Sequence, residues 1–551
     1  MALWKNFPHL STEMKMKEKE NKDKELSSLK KKVSLGEISR RDFITRVSAL
    51  GFAASAPLLL SEVAQAAPKR GGVYRMGLGG ANTGDSLDPA TNGDTFMINM
   101  NQGAVRNALI EVNHKGQAIP ELAESLEPSA DAKRWVVRLR RGVEFHSGKS
   151  LDADDVIASI EHHRGKDSTS AAKSVAESMG KMKKDGSQTV IFELDGGNAD
   201  FPYLLSDYHV LIGAADSSGK IDWAKGDGTG PYSVKSFDPG VRSHLMRNPN
   251  YFKSGEGNFD EVRMTAVNDT AARMNALATG QVDAIARCDL KTVGLLGRKP
   301  GVKILQTSGT KHFTYPMDVR EAPFNNNDVR MALKYGIDRK AFINTVLRGY
   351  GTLGNDHPIS STQNYHAGDL PQRPYDIDRA KYHLKKAGMS SLNVTIHAAD
   401  AAFGGAVDAT QLYAEQAKPA GINITVKRAS PDGYWDNVWM KVPWSACYWG
   451  GRPTADWMFT IGYKAGGNWT DSYWNHPRFE ELLLMGRAEL DERKRNVIYV
   501  EMQTIVSNEG GVVVPCFANN VDAYSNKLAH GPAAANWELD GSRSASRWWF
   551  A

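Results

Sequence analysis

The sequence predicts an α/β protein. Three observations carry that expectation: segments whose apolar residues alternate, segments whose apolar residues recur at helical spacing, and one strand–helix–strand succession late in the chain. Taken in order, Gly71–Leu78 alternates as a strand. Trp135–Phe145 does so more clearly, with Trp135, Val137 and Leu139 on one face and Val136, Arg138 and Arg140 on the other. Asp152–Arg164 reads as a helix whose acidic first turn suits the helix dipole. Thr189–Leu194 is another strand. Asp328–Leu347 reads as one helix, with Val329, Leu333, Ile337 and Ala341 at helical spacing, and Asp376–Gly388 as a helix closed by glycine. Leu392–Ala399 and Ile422–Ala429 are strands around a helix from about Ala406 to Ala420, the pattern of a βαβ unit. Ser445–Gly450 is a strand, Glu492–Gly510 a late helix and Gly511–Ala518 a buried-type strand.

A length of 551 residues allows two or three domains. The formal charge of +5 is unevenly placed: residues 1–66 hold 12 Lys/Arg against 8 Asp/Glu, so the remainder nets about +1. The body therefore has no excess of positive charge to drive non-specific nucleic-acid binding, and no nucleic-acid partner is expected. The basic N-terminus instead reads as an export signal. Ser39-Arg40-Arg41 precedes Phe43-Ile44, a short apolar run from Val47 to Leu60, and Ala64-Gln65-Ala66. The paired arginines in this setting resemble a twin-arginine signal. Residues 1–66 are thus expected to be removed, leaving a mature protein in the periplasm. Cys288, Cys447 and Cys516 are far apart and lack metal-ligand spacing.

Catalytic signatures are missing. The chain has no H-E-x-x-H, no G-x-S-x-G and no P-loop ending in Lys-Ser/Thr. Gly77–Asn82 reads as a turn, not a dinucleotide loop. His162 and His163 are adjacent on a helix and point apart, so they read as a solvated pair. Asp152, Asp154 and Asp155 read as a helix start, and Lys181, Lys183 and Lys184 as an exposed face. No cofactor and no metal are expected, and the chain is not read as an enzyme. Tryptophan is less bland. Seven of 13 fall between residues 435 and 474: Trp435, Trp439, Trp444, Trp449, Trp457, Trp469 and Trp474. That is more than one core needs, so some are expected to line a cleft.

Five blocks in order carry a resemblance. They are Leu122–Ile160, Gly228–Tyr232 (GTGPY), Arg247–Phe252 (RNPNYF), Ala322–Arg339 and Tyr375–Gly388. Together they resemble family 5 of the extracellular solute-binding proteins, the dipeptide- and oligopeptide-binding type. The resemblance implies a two-lobed, Venus-flytrap α/β fold with an extra subdomain on lobe I. Lobe I would span 67–305 and return at 517–551, and lobe II would span 306–516. It further implies a monomeric receptor that hands its ligand to the membrane permease of an ABC importer. An exported enzyme, or a sensor partner that presents its ligand to a receptor, stays open as an alternative.

The resemblance also gives meaning to Tyr448-Trp449-Gly450-Gly451-Arg452. Peptide-binding members have Trp-x-x-Asp there, and the aspartate pairs with the ligand's ammonium. Trp449 matches the tryptophan, and Arg452 stands in place of the aspartate. An arginine repels an ammonium and offers a planar fork to a carboxylate, sulfonate or phosphate. The ligand site is expected to comprise Arg452, Trp449, Trp435, Gly450 and Gly451, with His312 and Tyr315 from the strand after the hinge and lobe I residues around Asn82–Asp88. The competing reading pairs Arg452 with a protein carboxylate such as Asp456. The aromatics also allow a quaternary ammonium held by an aromatic cage. The ligand is expected to be a peptide-like or other small organic solute bearing an anionic group.

Overall fold

The computed structural model describes residues 28–29, 45–47, 68–430, 434–467 and 469–551. The expected export signal falls outside the described residues apart from 28–29 and 45–47. The alternating segments fold into the sheets of two lobes. In lobe I a seven-stranded sheet runs in the order Val302–Thr307, Asn520–Ser525, Ala284–Ile285, Val73–Leu78, Glu261–Ala266, Arg242–Arg247 and Tyr232–Asp238. Val73–Leu78 pairs in parallel with strands on both sides, so it lies in the sheet interior and is apolar where it meets the core. A separate four-stranded antiparallel sheet, built from residues 123–193, has its own core around Trp135, Val137, Phe192 and Phe201. This is the subdomain on lobe I. The alternation along Arg134–Leu139 is borne out: Trp135, Val137 and Leu139 are buried while Arg138 is exposed.

Lobe II holds a four-stranded sheet in the order Gly351–Leu353, Val512–Ala518, His312–Pro316 and Cys447–Trp449. The βαβ unit is present: Leu392–Ala398 and Ile422–Arg428 pair in parallel around helix Ala406–Ala417. Among the described residues the chain crosses between lobes twice. Val302–Thr307 belongs to the lobe I sheet and His312–Pro316 to that of lobe II; Val512–Ala518 and Asn520–Ser525 are divided in the same way. The expected boundaries after Leu305 and Cys516 fall inside strands, and the crossings lie a little later, at 308–311 and at Asn519.

Local chemistry sets the helix limits. Asp152 caps Ala153–Glu161 in a capping box with Asp155. The single helix expected over Asp328–Leu347 is two, Asn327–Tyr335 and Arg339–Val346, because Asp338 leaves helical geometry and caps the second through Ala341 N. The C-terminal tail is fastened to lobe I from inside. Arg543 donates to both oxygens of the buried Glu121 at 2.6 and 2.9 Å, and Lys253 adds a third bond at 3.0 Å. The reading of His162-His163 as a solvated pair is corrected. His163 is fully buried with Nδ1 2.7 Å from Ser170 Oγ, and burial pushes it down to about 4. His162 lies 2.9 Å from the Asp88 carboxylate.

Candidate functional site

The strand Cys447–Trp449 ends in a turn, Gly450–Pro453, before helix Ala455–Gly462, which Thr454 caps by accepting from Trp457 N. Glycine at 451 is required by close approach: a β-carbon there would collide with Thr310, on the inter-lobe crossing. The turn is thereby pressed against the hinge. Gln363 Nε2 donates to the Arg452 carbonyl at 2.8 Å and fixes its backbone.

The Arg452 side chain is half-buried. Its Nη1 donates to the carbonyls of Gly450 and Gly451 at 2.9 and 3.3 Å. Its Nε and Nη2 donate to nothing among the described residues, and no carboxylate there stands within 4.0 Å. The Nε–Nη2 edge is the side of a guanidinium that holds a carboxylate in two parallel hydrogen bonds. Bracing by Asp456 does not occur, because Asp456 accepts from Arg487 Nε at 3.1 and 3.2 Å. Burial pulls Arg452 below the ordinary guanidinium value, while Tyr208 and Asp207 act against that shift.

Arg452 lines a cavity of about 460 Å³ with walls from both lobes. Lobe II contributes Gln363, Gly451, Arg452, Trp457 and Trp469, and the crossing contributes Thr310. Lobe I contributes Asn113, His114, Asp207, Tyr208 and His209, and the C-terminal return adds Asn536 and Trp537. The Tyr208 ring meets Trp537 edge-on at 5.1 Å between centroids. Burial pushes the Tyr208 phenol up to about 12, so it stays protonated as a donor near neutral pH. Among the described residues no three His, Cys, Asp or Glu side chains stand together as metal ligands.

Behind the turn lies a cluster of tryptophans. Trp439, Trp449 and Trp469 stand 6.2–6.4 Å apart, centroid to centroid, in all three pairings. That is the spacing of rings in mutual contact, about 4.5–7 Å, so the three form a wall and not an open cage for a quaternary ammonium. One carboxylate orders it: Asp471 Oδ2 accepts from the indole nitrogens of Trp439 at 3.2 Å and Trp449 at 3.3 Å. Burial raises Asp471 to about 7 despite those two donors.

The family model for bacterial extracellular solute-binding proteins, family 5 (middle region), matches residues 117–471, well over half of the chain. The chain belongs to family 5 of the bacterial extracellular solute-binding proteins. Its relatives carry names of binding proteins, not of enzymes. It is 27% identical over 328 residues to heme-binding protein A of Haemophilus influenzae, covering 55% of this chain and 60% of that protein. It is 23% identical to the probable di/tripeptide-binding protein 5 of Pseudomonas aeruginosa, covering 82% and 91%. Among solved structures, HbpA2 from Haemophilus parasuis superposes with a TM-score of 0.74 at 20% identity, covering 83% of this chain and 96% of that one. AgaA from A. tumefacien R10, in complex with agropinic acid, does so at 0.68 and 22%, covering 87% and 98%. The two-lobed fold is that of these proteins.

For this family 5 member, the residues expected at the site divide. Arg452 and Gly451 line the cavity; Gly450 gives its carbonyl to Arg452. Trp449 is buried behind Trp469 and holds it by ring contact. Trp435 is exposed and packs edge-on against Trp439 and Tyr448, outside the cavity lining. His312 is buried in the sheet opposite Trp449, and burial pushes it down to about 4, which leaves it neutral. Tyr315 sits in the lobe II core against Phe403 and Tyr413, so it has no place on the cavity wall. On the lobe I side this cavity is lined by Asn113-His114, Asp207–His209 and Asn536-Trp537, and none of Asn82–Asp88 lines it. Trp537 had a legible signal, a large aromatic in a Gly-Pro-Ala-Asn stretch; Asp207–His209 had none.

Proposed function

We propose that this chain is the periplasmic receptor of an ATP-driven importer, closing its lobes on a small organic solute, peptide-like or otherwise, that bears an anionic group. One observation carries the reading: Arg452, whose Nε and Nη2 donate to nothing among the described residues, lines a cavity that both lobes line. A ligand touching both walls favours the closed form, because only differential affinity shifts that equilibrium. The names of relatives span haem, di/tripeptides and glutathione, so the residues of this cleft decide the class. Arginine at the family's aspartate position favours an anion there over the ammonium of a peptide. In this reading the chain is a monomer, is exported by the twin-arginine route and delivers its ligand to a membrane permease. Native mass spectrometry of protein purified from its own host tests the proposal. The expected result is a retained small molecule with a carboxylate, sulfonate or phosphate. Retention of only uncharged or purely cationic molecules would overturn it.

A further inference from the structure

Arg452 shares its cavity with a group of opposite sign. Asp207 belongs to lobe I and lines the same space, yet it makes no ion pair with Arg452. The two carboxylate oxygens of Asp207 are used differently. Oδ1 accepts from the His209 backbone N at 2.9 Å and lies 2.7 Å from His209 Nδ1. Oδ2 accepts from nothing among the described residues. The segment is held firmly: His209 Nε2 is 2.9 Å from the Asn92 carbonyl, and Asn92 Nδ2 donates to the Tyr208 carbonyl at 2.9 Å. Both ring nitrogens of His209 are thus engaged, one at Asp207 Oδ1 and one at the Asn92 carbonyl, which fixes the carboxylate in place and leaves Oδ2 open.

We propose that Asp207 is a second ligand anchor, and that the ligand is a zwitterion whose anionic group lies on Arg452 and whose ammonium or guanidinium lies on Asp207 Oδ2. This rests on the reading of Arg452 given above. A purely anionic ligand would bring its charge toward the Asp207 carboxylate in a closed cleft, where such repulsion is stronger than in water. A ligand with both charges satisfies both walls, and its two ends couple lobe I to lobe II. The polarity is set by position: the cation receptor is on lobe I, and the anion receptor is on the lobe II turn beside the hinge crossing.

The test uses short peptides and ω-amino acids in three matched forms: the free zwitterion, the N-acetylated form and the C-amidated form. Binding is read by calorimetric titration. At least one free form is expected to bind, and its N-acetylation to weaken binding about 30-fold or more, the loss typical of a charged group left without its partner. This arm uses the wild-type chain and depends on no variant folding. Asp207→Asn keeps an oxygen for His209 and turns the open position into a donor, so it should lose a similar factor for the free form and no longer discriminate against acetylation. Equal affinity for free and acetylated forms, or no binding by any free zwitterion, would overturn the proposal. Should C-amidation and Arg452→Ala leave affinity unchanged while acetylation abolishes it, the anion reading fails alone and Asp207 stands as a cation anchor.

Discussion

Asp200 and Arg495 form an ion pair of 2.7 Å between the lobe I subdomain and lobe II, with both side chains nearly inaccessible to solvent. Beside it, Ala199 N donates to the Arg487 carbonyl at 2.8 Å, and Asn364 Nδ2 donates to the Tyr203 hydroxyl at 3.0 Å. These contacts exist only while the lobes are together. Removing one partner of a buried pair typically costs about 3–5 kcal/mol, because the other charge is left uncompensated. Asp200→Asn should therefore weaken closure and raise the radius of gyration of the ligand-free protein in small-angle scattering. An unchanged radius would mean that the pair does not govern the open–closed balance.

A pH effect follows from Asp471. Burial raises its carboxyl to about 7 in the folded chain, against an unfolded value of about 3.9. Between those values the folded state binds more protons than the unfolded one, so this group's contribution to stability falls as pH rises from about 4 to 7. Asp456 and Asp522, raised to about 6 and about 7 by burial, act in the same direction. Asp471→Asn removes one share, worth at most about 1.4 kcal/mol per pH unit. Urea midpoints at pH 5 and 7.5 should therefore drop less in the variant than in the wild type. Parallel drops would show that Asp471 is already ionised in the fold.

Export is tested at the paired arginines. Arg40-Arg41 with Phe43-Ile44 and the short apolar run motivates the twin-arginine route. Replacing both with lysine should hold full-length precursor in the cytoplasm. Normal periplasmic accumulation of that variant would exclude the route.

Much of the fold was legible because its signals are local. Alternation along Trp135, Val137 and Leu139 and the strand–helix–strand run from Leu392 to Ala429 each report one element's own burial. The break at Asp338 was missed because the apolar spacing continues through it, while the cap chemistry that divides the helix is polar. The site was legible only in part. Arg452 stood out through its neighbours in sequence. Asp207, Tyr208 and Trp537 reach the cavity through lobe closure, and no periodicity records that. His312 and Tyr315 were expected at the cleft because they follow the crossing. The strand that holds them runs into the interior of lobe II, between two other strands.

The central claim is that Arg452 grips an anionic group of the ligand. It is tested most directly by calorimetric titration of Arg452→Ala and Arg452→Lys with the molecule retained by the native protein, alongside thermal melts. A gripping arginine predicts a loss of about 2–5 kcal/mol for alanine, roughly 30- to several-thousand-fold in affinity. Lysine should restore only part, since a point charge cannot reproduce the two-bond fork, and the melting temperature should hardly move. Affinity equal to wild type in the folded alanine variant would contradict the account.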